Sequence, residues 1–476
     1  MTKLDEAGGT PLQASLPEQG STLYLSAVCM VAALGGLLFG FDTAVISGAE
    51  GLLKAQFELS EIEEGWLVAS ALLGCISGAM AAGTLSDRFG RKRLLVFSGC
   101  LFLVSALGST VPQTPAVLIV ARLIGGLGIG FASMLAPLYI SEFSPPHLRG
   151  RMVALYQLAI TVGVLAAYLS NAFLLHLSEN YAELFGQATL RWLFVDELWR
   201  GMFGAEALPA FLFLLLLLMV PESPRWLTKQ QREGEAIGIL ARVGGRKTAK
   251  AEMKEIHDTI AEESGSVGQL FQPGMRIALL ISVMLPIFSQ ASGINAIIYY
   301  GPKIFETAGL QLSAALGGAV IIGTVNTAFT VLTLWKIDSL GRKPILQIGT
   351  IGAVASLVMI GVLFHTGATT GPWLLVMITS YIAFFAIGFG PIPWVIISEI
   401  FPTRIRGRAM SFGVFAIWTT CFLVAQTFPW LLKHLGPAGC FWLYASLSAP
   451  SIFFVWFVVP ETKGKTLEEL EKSWTR

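Results

Sequence analysis

Charged side chains are scarce in this chain. Asp, Glu, Lys and Arg make up 13% of its 476 residues, and 54% of the residues are hydrophobic, whereas soluble domains usually carry about 25% charged residues. This shortage excludes an ordinary soluble domain and predicts a protein that crosses a membrane several times. The formal net charge of +1 likewise excludes the basic surface that nucleic-acid binding requires.

Metal, disulfide and nucleotide motifs are also missing. The five cysteines and five histidines are scattered, without a Cys-x-x-Cys pair or a metal-ligand spacing, so we expect the cysteines to be small buried side chains. The lack of a Walker-type Gly-Lys-Ser/Thr loop argues against direct coupling to ATP. Because no catalytic constellation appears either, the sequence predicts a protein that is not an enzyme and uses no cofactor or metal.

Long apolar segments dominate the sequence. Twelve of them approach the roughly 20 residues that a helix needs to cross a bilayer. The first begins near Leu23, and the others lie near residues 64–84, 94–111, 116–140, 153–175, 203–220, 276–300, 314–335, 345–365, 373–398, 410–431 and 438–459. A long polar stretch separates the first six spans from the last six.

This polar stretch organises the chain into five parts. Its apolar residues recur at helical spacing, so short helices on the membrane surface are expected there. The start of the chain holds Pro, Gly, Ser and mixed charges, which is typical of disorder. We predict a disordered tail (1–22), a six-helix bundle (23–220), a helical linker (221–274), a second six-helix bundle (275–459) and a second tail (460–476).

Basic residues are unevenly shared among the loops. Most arginines follow the even-numbered spans, whereas the other loops carry few basic residues, among them Lys54, Lys303 and Lys433. The positive-inside rule then places both termini and the linker in the cytoplasm. The compact length and short tails favour the inner membrane of a bacterium.

Three short motifs occur once in each half. Residues 83–92 match 336–343, 141–151 match 398–408, and 221–224 match 460–463. Two homologous halves around a central site are typical of an alternating-access transporter. Each half repeats carboxylates beside arginines, which favours a salt-bridged cytoplasmic gate between the bundles over plain topogenic charge. The predicted gate residues are Asp87, Arg88, Arg91, Glu142, Arg149, Glu222, Arg225, Asp338, Arg342, Glu399, Arg406 and Glu461.

Amides and phenols cluster in the seventh span. Gln290, Asn295 and Tyr299 both donate and accept hydrogen bonds, which suits a neutral polyhydroxyl ligand. On an ideal helix Gln290 and Asn295 lie roughly 140° apart. We therefore expect a distortion at Gly293 that brings them to one cavity. The alternative is that these groups only join helices together.

Other polar and aromatic side chains lie inside later and earlier spans. Gln157 and Asn326 are lone amides, Trp394 follows a segment disrupted by two prolines, and Trp418 lies in the eleventh span. An indole ring suits stacking on the C–H face of a sugar, but tryptophan is also common at membrane interfaces. The residue types alone leave both interpretations open.

Two charges stand alone within the membrane. Asp42 is near the end of the first span, and Arg122 is near the start of the fourth span. Because these spans run in opposite directions, both residues lie at similar depth, where an isolated charge is expensive and a pair is expected. The pair is either a proton switch, opened when Asp42 is protonated, or a purely structural ion pair.

Several motifs match a known family over nearly the whole chain. They are residues 87–92, 221–226, 290–300, 390–394 and 460–464. On these residues the chain resembles the sugar porters of the major facilitator superfamily. The resemblance implies an all-α fold of twelve transmembrane helices in two bundles, in a monomer that carries a hexose or pentose, such as glucose or xylose, across the bilayer. It implies sugar contacts at Gln157, Gln290, Asn295, Asn326 and Trp394, with Tyr299 and Trp418 nearby.

The resemblance also bears on energy coupling. Proton-coupled relatives carry an aspartate where passive facilitators typically carry asparagine, so Asp42 with Arg122 favours proton symport over passive uniport. A polyol porter and a sugar sensor are further alternatives, and the short tails argue against a sensor. Ser289 stands where many relatives have a second glutamine, and Ile417 stands where several have a polar residue. These differences predict altered selectivity or weaker binding.

Overall fold

The computed structural model describes residues 17–262, 267–272, 275–401 and 403–465. Most of the predicted tails, residues 1–16 and 466–476, lie outside this described part. The helices of the first half and linker are α1 (Thr22–Phe57), α2 (Glu61–Phe89), α3 (Arg91–Gly108), α4 (Pro115–Phe143), α5 (Pro146–Asn180), α6 (Leu198–Gly204), α7 (Ala207–Met219), α8 (Pro224–Lys229) and α9 (Glu233–Glu262). The second half contains α10 (Arg276–Ala291), α11 (Ile294–Thr307), α12 (Leu312–Leu340), α13 (Arg342–Thr366), α14 (Trp373–Ile387), α15 (Ile392–Ile400) and α16 (Thr403–Phe457).

These helices supply twelve spans. In the described part, ten helical stretches are long and apolar enough to cross a membrane, and three of them join two helices each: α6 with α7, α10 with α11, and α14 with α15. The last stretch contains two spans, because α16 bends at Gly436, where φ is +68°. The remaining span is α3, whose first residues Arg91, Lys92 and Arg93 are basic.

Glycines allow the helices of the first half to touch along their backbones. A Cβ added at Gly126 of α4 would lie 1.8 Å from the carbonyl oxygen of Ala71 in α2. One added at Gly40 of α1 would lie 2.0 Å from the carbonyl oxygen of Ile160 in α5. Small residues of this kind are how membrane helices pack closely without a hydrophobic driving force. The glycine contacts thus fix α4 against α2 and α1 against α5.

The two halves meet where α5 of the first half contacts α11 and α12 of the second half. Thr327 of α12 donates to the carbonyl of Thr161 in α5 at 3.1 Å. Tyr168 of α5 donates to the carbonyl of Ile298 in α11 at 2.9 Å. Side chains of both halves share one buried apolar cluster. The centre of the molecule is therefore built jointly by both halves.

The linker helices mark one side of the protein. The backbone N–H of Ser21 donates to the carbonyl of Arg242 at 2.9 Å, and that of Arg246 donates to Pro17 at 3.0 Å. Trp226 of α8 donates to the carbonyl of Asp87 at the end of α2, at 3.0 Å. We call this the linker side and the opposite side the far side. α1 begins on the linker side and ends on the far side.

The region between spans five and six is mostly folded. α5 continues to Asn180, and short helical turns lead to α6. Arg200 is completely buried, with its guanidinium 4.3 Å from the ring centroid of Trp192 and 4.1 Å from that of Trp199. Trp199 donates to Gln56 near the end of α1 at 2.7 Å. This segment is a cap over the far end of the first half.

Candidate functional site

The duplicated charged motifs fold in the same way in both halves. Glu222 accepts hydrogen bonds from the backbone N–H groups of Arg91 and the next residue, at 3.0 and 2.9 Å. Glu461 accepts the equivalent bonds from Arg342 and the next residue, at 3.0 and 3.1 Å. Each carboxylate thereby caps the start of a helix in its own half. The geometry supports the duplication that the sequence motifs indicate.

The two motif arginines bind carboxylates of their own half. Arg91 lies 3.2 Å from Glu142 and 2.9 Å from Asp87. Arg342 lies 2.9 Å from Glu399 and 3.2 Å from an aspartate one turn earlier, Asp338. In this conformation these pairs stabilise each half rather than join the two. Whether the residues also act as a gate stays a prediction.

The other predicted gate residues differ in exposure. Arg88 and Arg149 are exposed, and the Arg88 guanidinium lies 5.2 Å from the ring centroid of Phe89. Arg225 is half-buried and has interaction partners in the structure. The side chain of Arg406 lies outside the described residues.

Glu461 illustrates the electrostatics of these caps. Burial alone would raise the pKa of its carboxyl group, but hydrogen bonds from backbone N–H groups, including those of Lys463 and Arg342, outweigh burial and hold the pKa below its usual range. The carboxyl therefore stays ionised, which a helix cap requires.

The helix of the seventh span is broken at Gly293. α10 ends at Ala291, Gly293 adopts φ +81°, and α11 begins at Ile294. The side-chain amide of Asn295 donates to the side-chain carbonyl of Gln290, although an ideal helix would separate them. The predicted distortion is confirmed. Both amides are 8% exposed.

Cys421 adds a thiol to this pair of amides. The amide of Asn295 lies 3.0 Å from the Cys421 sulfur, and the Tyr299 hydroxyl lies 3.9 Å from it. Four of the five cysteines, including Cys421, are buried as predicted, but Cys100 of α3 is exposed, so the prediction is wrong there. Cys421 also takes part in the polar network. A cysteine within an apolar span gave no signal of this contact.

The remaining predicted sugar contacts are buried or half-buried. Trp418 is 7% exposed, and its ring centroid lies 5.3 Å from that of Phe39 in α1. Asn326 is 9% exposed, and Gln157 and Trp394 are half-buried. The aromatic contact between Phe39 and Trp418 joins the two halves. Sugar binding by these residues stays a prediction.

Asp42 and Arg122 form a buried ion pair, as the shared depth of the two charges predicts. Arg122 donates to Asp42 at 3.0 Å, and the side chains are 2% and 1% exposed. The second carboxylate oxygen of Asp42 and Nε of Arg122 have no hydrogen-bond partner in the structure. The Arg122 guanidinium lies 5.5 Å from the ring centroid of Phe203. Hydrogen bonds therefore satisfy this buried ion pair only in part, which is energetically costly at a site away from bulk water.

Sequence reasoning missed Glu206, a third ionisable group near this pair. Glu206 is 2% exposed, and one of its carboxyl oxygens has no hydrogen-bond partner. It interacts electrostatically with both Asp42 and Arg122. The available signal was a single acid directly before the apolar run of α7, which resembles an ordinary helix-end charge.

Known proteins resemble this chain over nearly all of its length. The family model described as sugar (and other) transporter matches residues 28–474. The chain is 40% identical over 470 residues to the arabinose-proton symporter of Bacillus subtilis (strain 168), covering 98% of this chain and 99% of that protein. It is 40% identical over 488 residues to the D-xylose-proton symporter of Escherichia coli (strain K12), covering 96% and 97%.

A solved structure is similar as well. The major facilitator superfamily proton:xylose symporter XylE, bound to 6-bromo-6-deoxy-D-glucose, matches with a TM-score of 0.80 at 39% identity. The match covers 95% of this chain and 99% of that one. The fold is therefore the twelve-helix fold of that superfamily, in two six-helix bundles.

Proposed function

We propose that this chain, which belongs to the family of sugar (and other) transporters, carries a monosaccharide together with a proton across the membrane by alternating access. Two relatives are named as proton symporters of the pentoses arabinose and xylose. A pentose or a hexose is thus the proposed substrate class, and the uncharged amides and aromatic rings beside the helix break suit either.

The break at Gly293 supports a sugar site between the two halves. Gln290 and Asn295 supply donors and acceptors, and Trp418 offers an apolar ring face for the C–H face of a sugar ring. In this proposal a bound sugar takes over the hydrogen bond that the amide of Asn295 donates to Gln290. Gln157, Tyr299, Asn326 and Trp394 complete the proposed contacts.

The buried pair of Asp42 and Arg122 is the observation that carries the coupling. Protonation of Asp42 removes the negative charge that holds Arg122, so the pair separates and α1 and α4 are free to shift. In this proposal Glu206 takes over the interaction with Arg122 once Asp42 is neutral, because Glu206 already interacts electrostatically with Arg122. Cys75 interacts electrostatically with Asp42, Arg122 and Cys421, which supports a position of the pair close to the proposed sugar site.

The proposed orientation puts the linker side and both termini in the cytoplasm. The basic loops support this by the positive-inside rule, and the relative from Escherichia coli favours the inner membrane of a bacterium. The proposed division of the chain at 23–220, 221–274 and 275–459 follows the linker helices.

The experiment is sugar-driven proton movement in proteoliposomes. Wild type is compared with Asp42→Asn over a panel of hexoses and pentoses. We expect one or more sugars to drive proton uptake in wild type, and Asp42→Asn to exchange that sugar without concentrating it. Asp196→Asn is the matched control, because Asp196 also pairs with an arginine, Arg191 at 3.6 Å, but is exposed. This substitution should leave the coupling of sugar to protons unchanged.

Two results would contradict the proposal. If wild type equilibrates sugars without moving protons, the protein is a passive uniporter and the Asp42–Arg122 pair is structural. If Asp42→Asn still concentrates sugar, the coupling carboxyl is another group.

A further inference from the structure

A second ionic cluster joins the two halves on the far side. Lys303 near the end of α11 lies 3.0 Å from Glu50 of α1 and also contacts Glu64 of α2. Lys54 of α1 lies 2.5 Å from Glu64. The side chains of Glu50 and Glu64 are 4% and 1% exposed, and that of Lys303 is 18% exposed. Two buried acids are thus balanced by two lysines.

The halves contribute unequally to this cluster. Glu50, Lys54 and Glu64 belong to the first half, and Lys303 is the single member from the second half. When the far side opens, Lys303 must leave both carboxylates. Separating a buried ion pair leaves uncompensated charge and is strongly unfavourable. We propose that the Lys303–Glu50–Glu64 cluster is a proton-sensitive lock that holds the far side closed.

A proton binds to the acids of the cluster when the far side opens, because the charge balance around these acids changes. Once Lys303 has withdrawn, Glu50 and Glu64 are left with Lys54 alone. Two neighbouring carboxylates beside one cation favour the uptake of one proton. The proton comes from water on the far side and returns there when Lys303 closes again. The lock therefore makes opening depend on pH without adding a transported proton.

Neighbouring charged and titratable groups leave this balance in place. The Lys303 ammonium lies 5.9 Å from the ring centroid of Tyr300, whose hydroxyl donates to a backbone carbonyl. Glu306, which also interacts with Lys303, is exposed. On α2 and α16, Glu61 and Lys433 form a pair at 2.8 Å whose side chains are 25% and 59% exposed. Water screens that pair, so the buried cluster dominates.

The test measures a distance across the far side and does not depend on sugar transport. Spin labels are attached at Gly51→Cys on α1 and Gln311→Cys before α12, because both positions are exposed. Cys100→Ser removes the exposed native thiol. Asp42→Asn is included in every sample so that the membrane pair contributes no pH response. Pulsed electron–electron double resonance then gives the populations of short and long distances between the two labels at mildly acidic, neutral and alkaline pH.

We expect acidification to increase the long-distance population when the cluster is intact. Lys303→Gln should raise the ratio of long to short distances at least about tenfold, because a broken buried pair shifts an equilibrium by more than that, and should abolish the pH response. Glu50→Gln, a nearly isosteric change, should also favour the long distance and remove the response. Lys303→Arg keeps the positive charge, so it should keep the short distance and the pH response of the intact cluster.

The matched control is Lys433→Gln, which removes an exposed ion pair between the same two halves. It should leave the distances and their pH response unchanged. Unaltered distances in folded Lys303→Gln and Glu50→Gln proteins would overturn the lock. A full pH response that survives in Glu50→Gln would overturn its proton sensitivity.

Discussion

The duplicated arginines allow a direct comparison of burial. Arg91 and Arg342 occupy equivalent positions and make equivalent ion pairs. However, the side chains of Arg91 and Glu142 are only 4% and 3% exposed, whereas those of Arg342 and Glu399 are 13% and 30% exposed. Replacing each arginine with methionine removes the same chemical group from two environments.

The expected losses follow from that difference. Arg91→Met leaves Glu142 buried without its cation, which costs about 3 kcal/mol. Arg342→Met leaves a carboxylate that water can reach, which costs about 1 kcal/mol. Because about 1 kcal/mol shifts Tm by roughly 2–4 °C in a unit of 150–250 residues, Arg91→Met should lower Tm by roughly 6–12 °C and Arg342→Met by roughly 2–4 °C.

The assay is thermal unfolding of the purified protein in detergent, followed by size-exclusion of the surviving fraction. It is carried out without sugar near neutral pH, so that ligand binding does not contribute to Tm. Equal losses in the two variants, or a larger loss in Arg342→Met, would refute the argument that burial sets the strength of these pairs.

Three further predictions concern the cavity and the linker. Gly293→Ala should abolish sugar binding measured by calorimetry, because φ is +81° and the added Cβ meets an aromatic ring, whereas Gly317→Ala, which meets open space, should bind normally. Burial raises the pKa of Glu252 in the linker helix α9 from 4.5 to about 7. The neutral carboxyl therefore stabilises the fold at acidic pH, and this contribution is lost as the pH rises through 7. Glu252→Gln should have the same Tm as wild type near pH 4.5 and a higher Tm than wild type above pH 7. Ser289→Gln together with Ile417→Asn should change the sugar profile in competition assays, by roughly fivefold in affinity for a hydrogen bond of about 1 kcal/mol, and an unchanged profile would contradict the selectivity argument.

The sequence predicts the parts of the site that local geometry determines. Gly293 was identifiable because Gln290 and Asn295 fall on different faces of an ideal helix, and the structure breaks the helix there. Asp42 and Arg122 were identifiable because both are charges at the same depth. In each case one physical requirement, hydrogen bonding or charge compensation, allows few arrangements of these side chains within a bilayer.

The parts that were missed depend on packing between distant segments. Lys303 and Glu50 are 253 residues apart, and from the sequence Lys303 is only a basic residue near a loop. Glu206 has the same ambiguity at a helix end. The proximity of Glu206 to Asp42 and Arg122 becomes evident only when α7 is packed beside α1 and α4. Such residues carry no periodicity or motif that would distinguish them from ordinary surface charges.

The glycine contacts between helices have a consequence for mutational tolerance. At Gly126 even a methyl group would overlap the backbone of α2, so every substitution there forces two helices apart. At an exposed glycine such as Gly83, which has nothing within 4 Å of an added Cβ, most side chains fit. A saturation scan of this protein should therefore show its lowest tolerance along narrow stripes of glycine facing backbone, including positions that never contact a sugar or a proton.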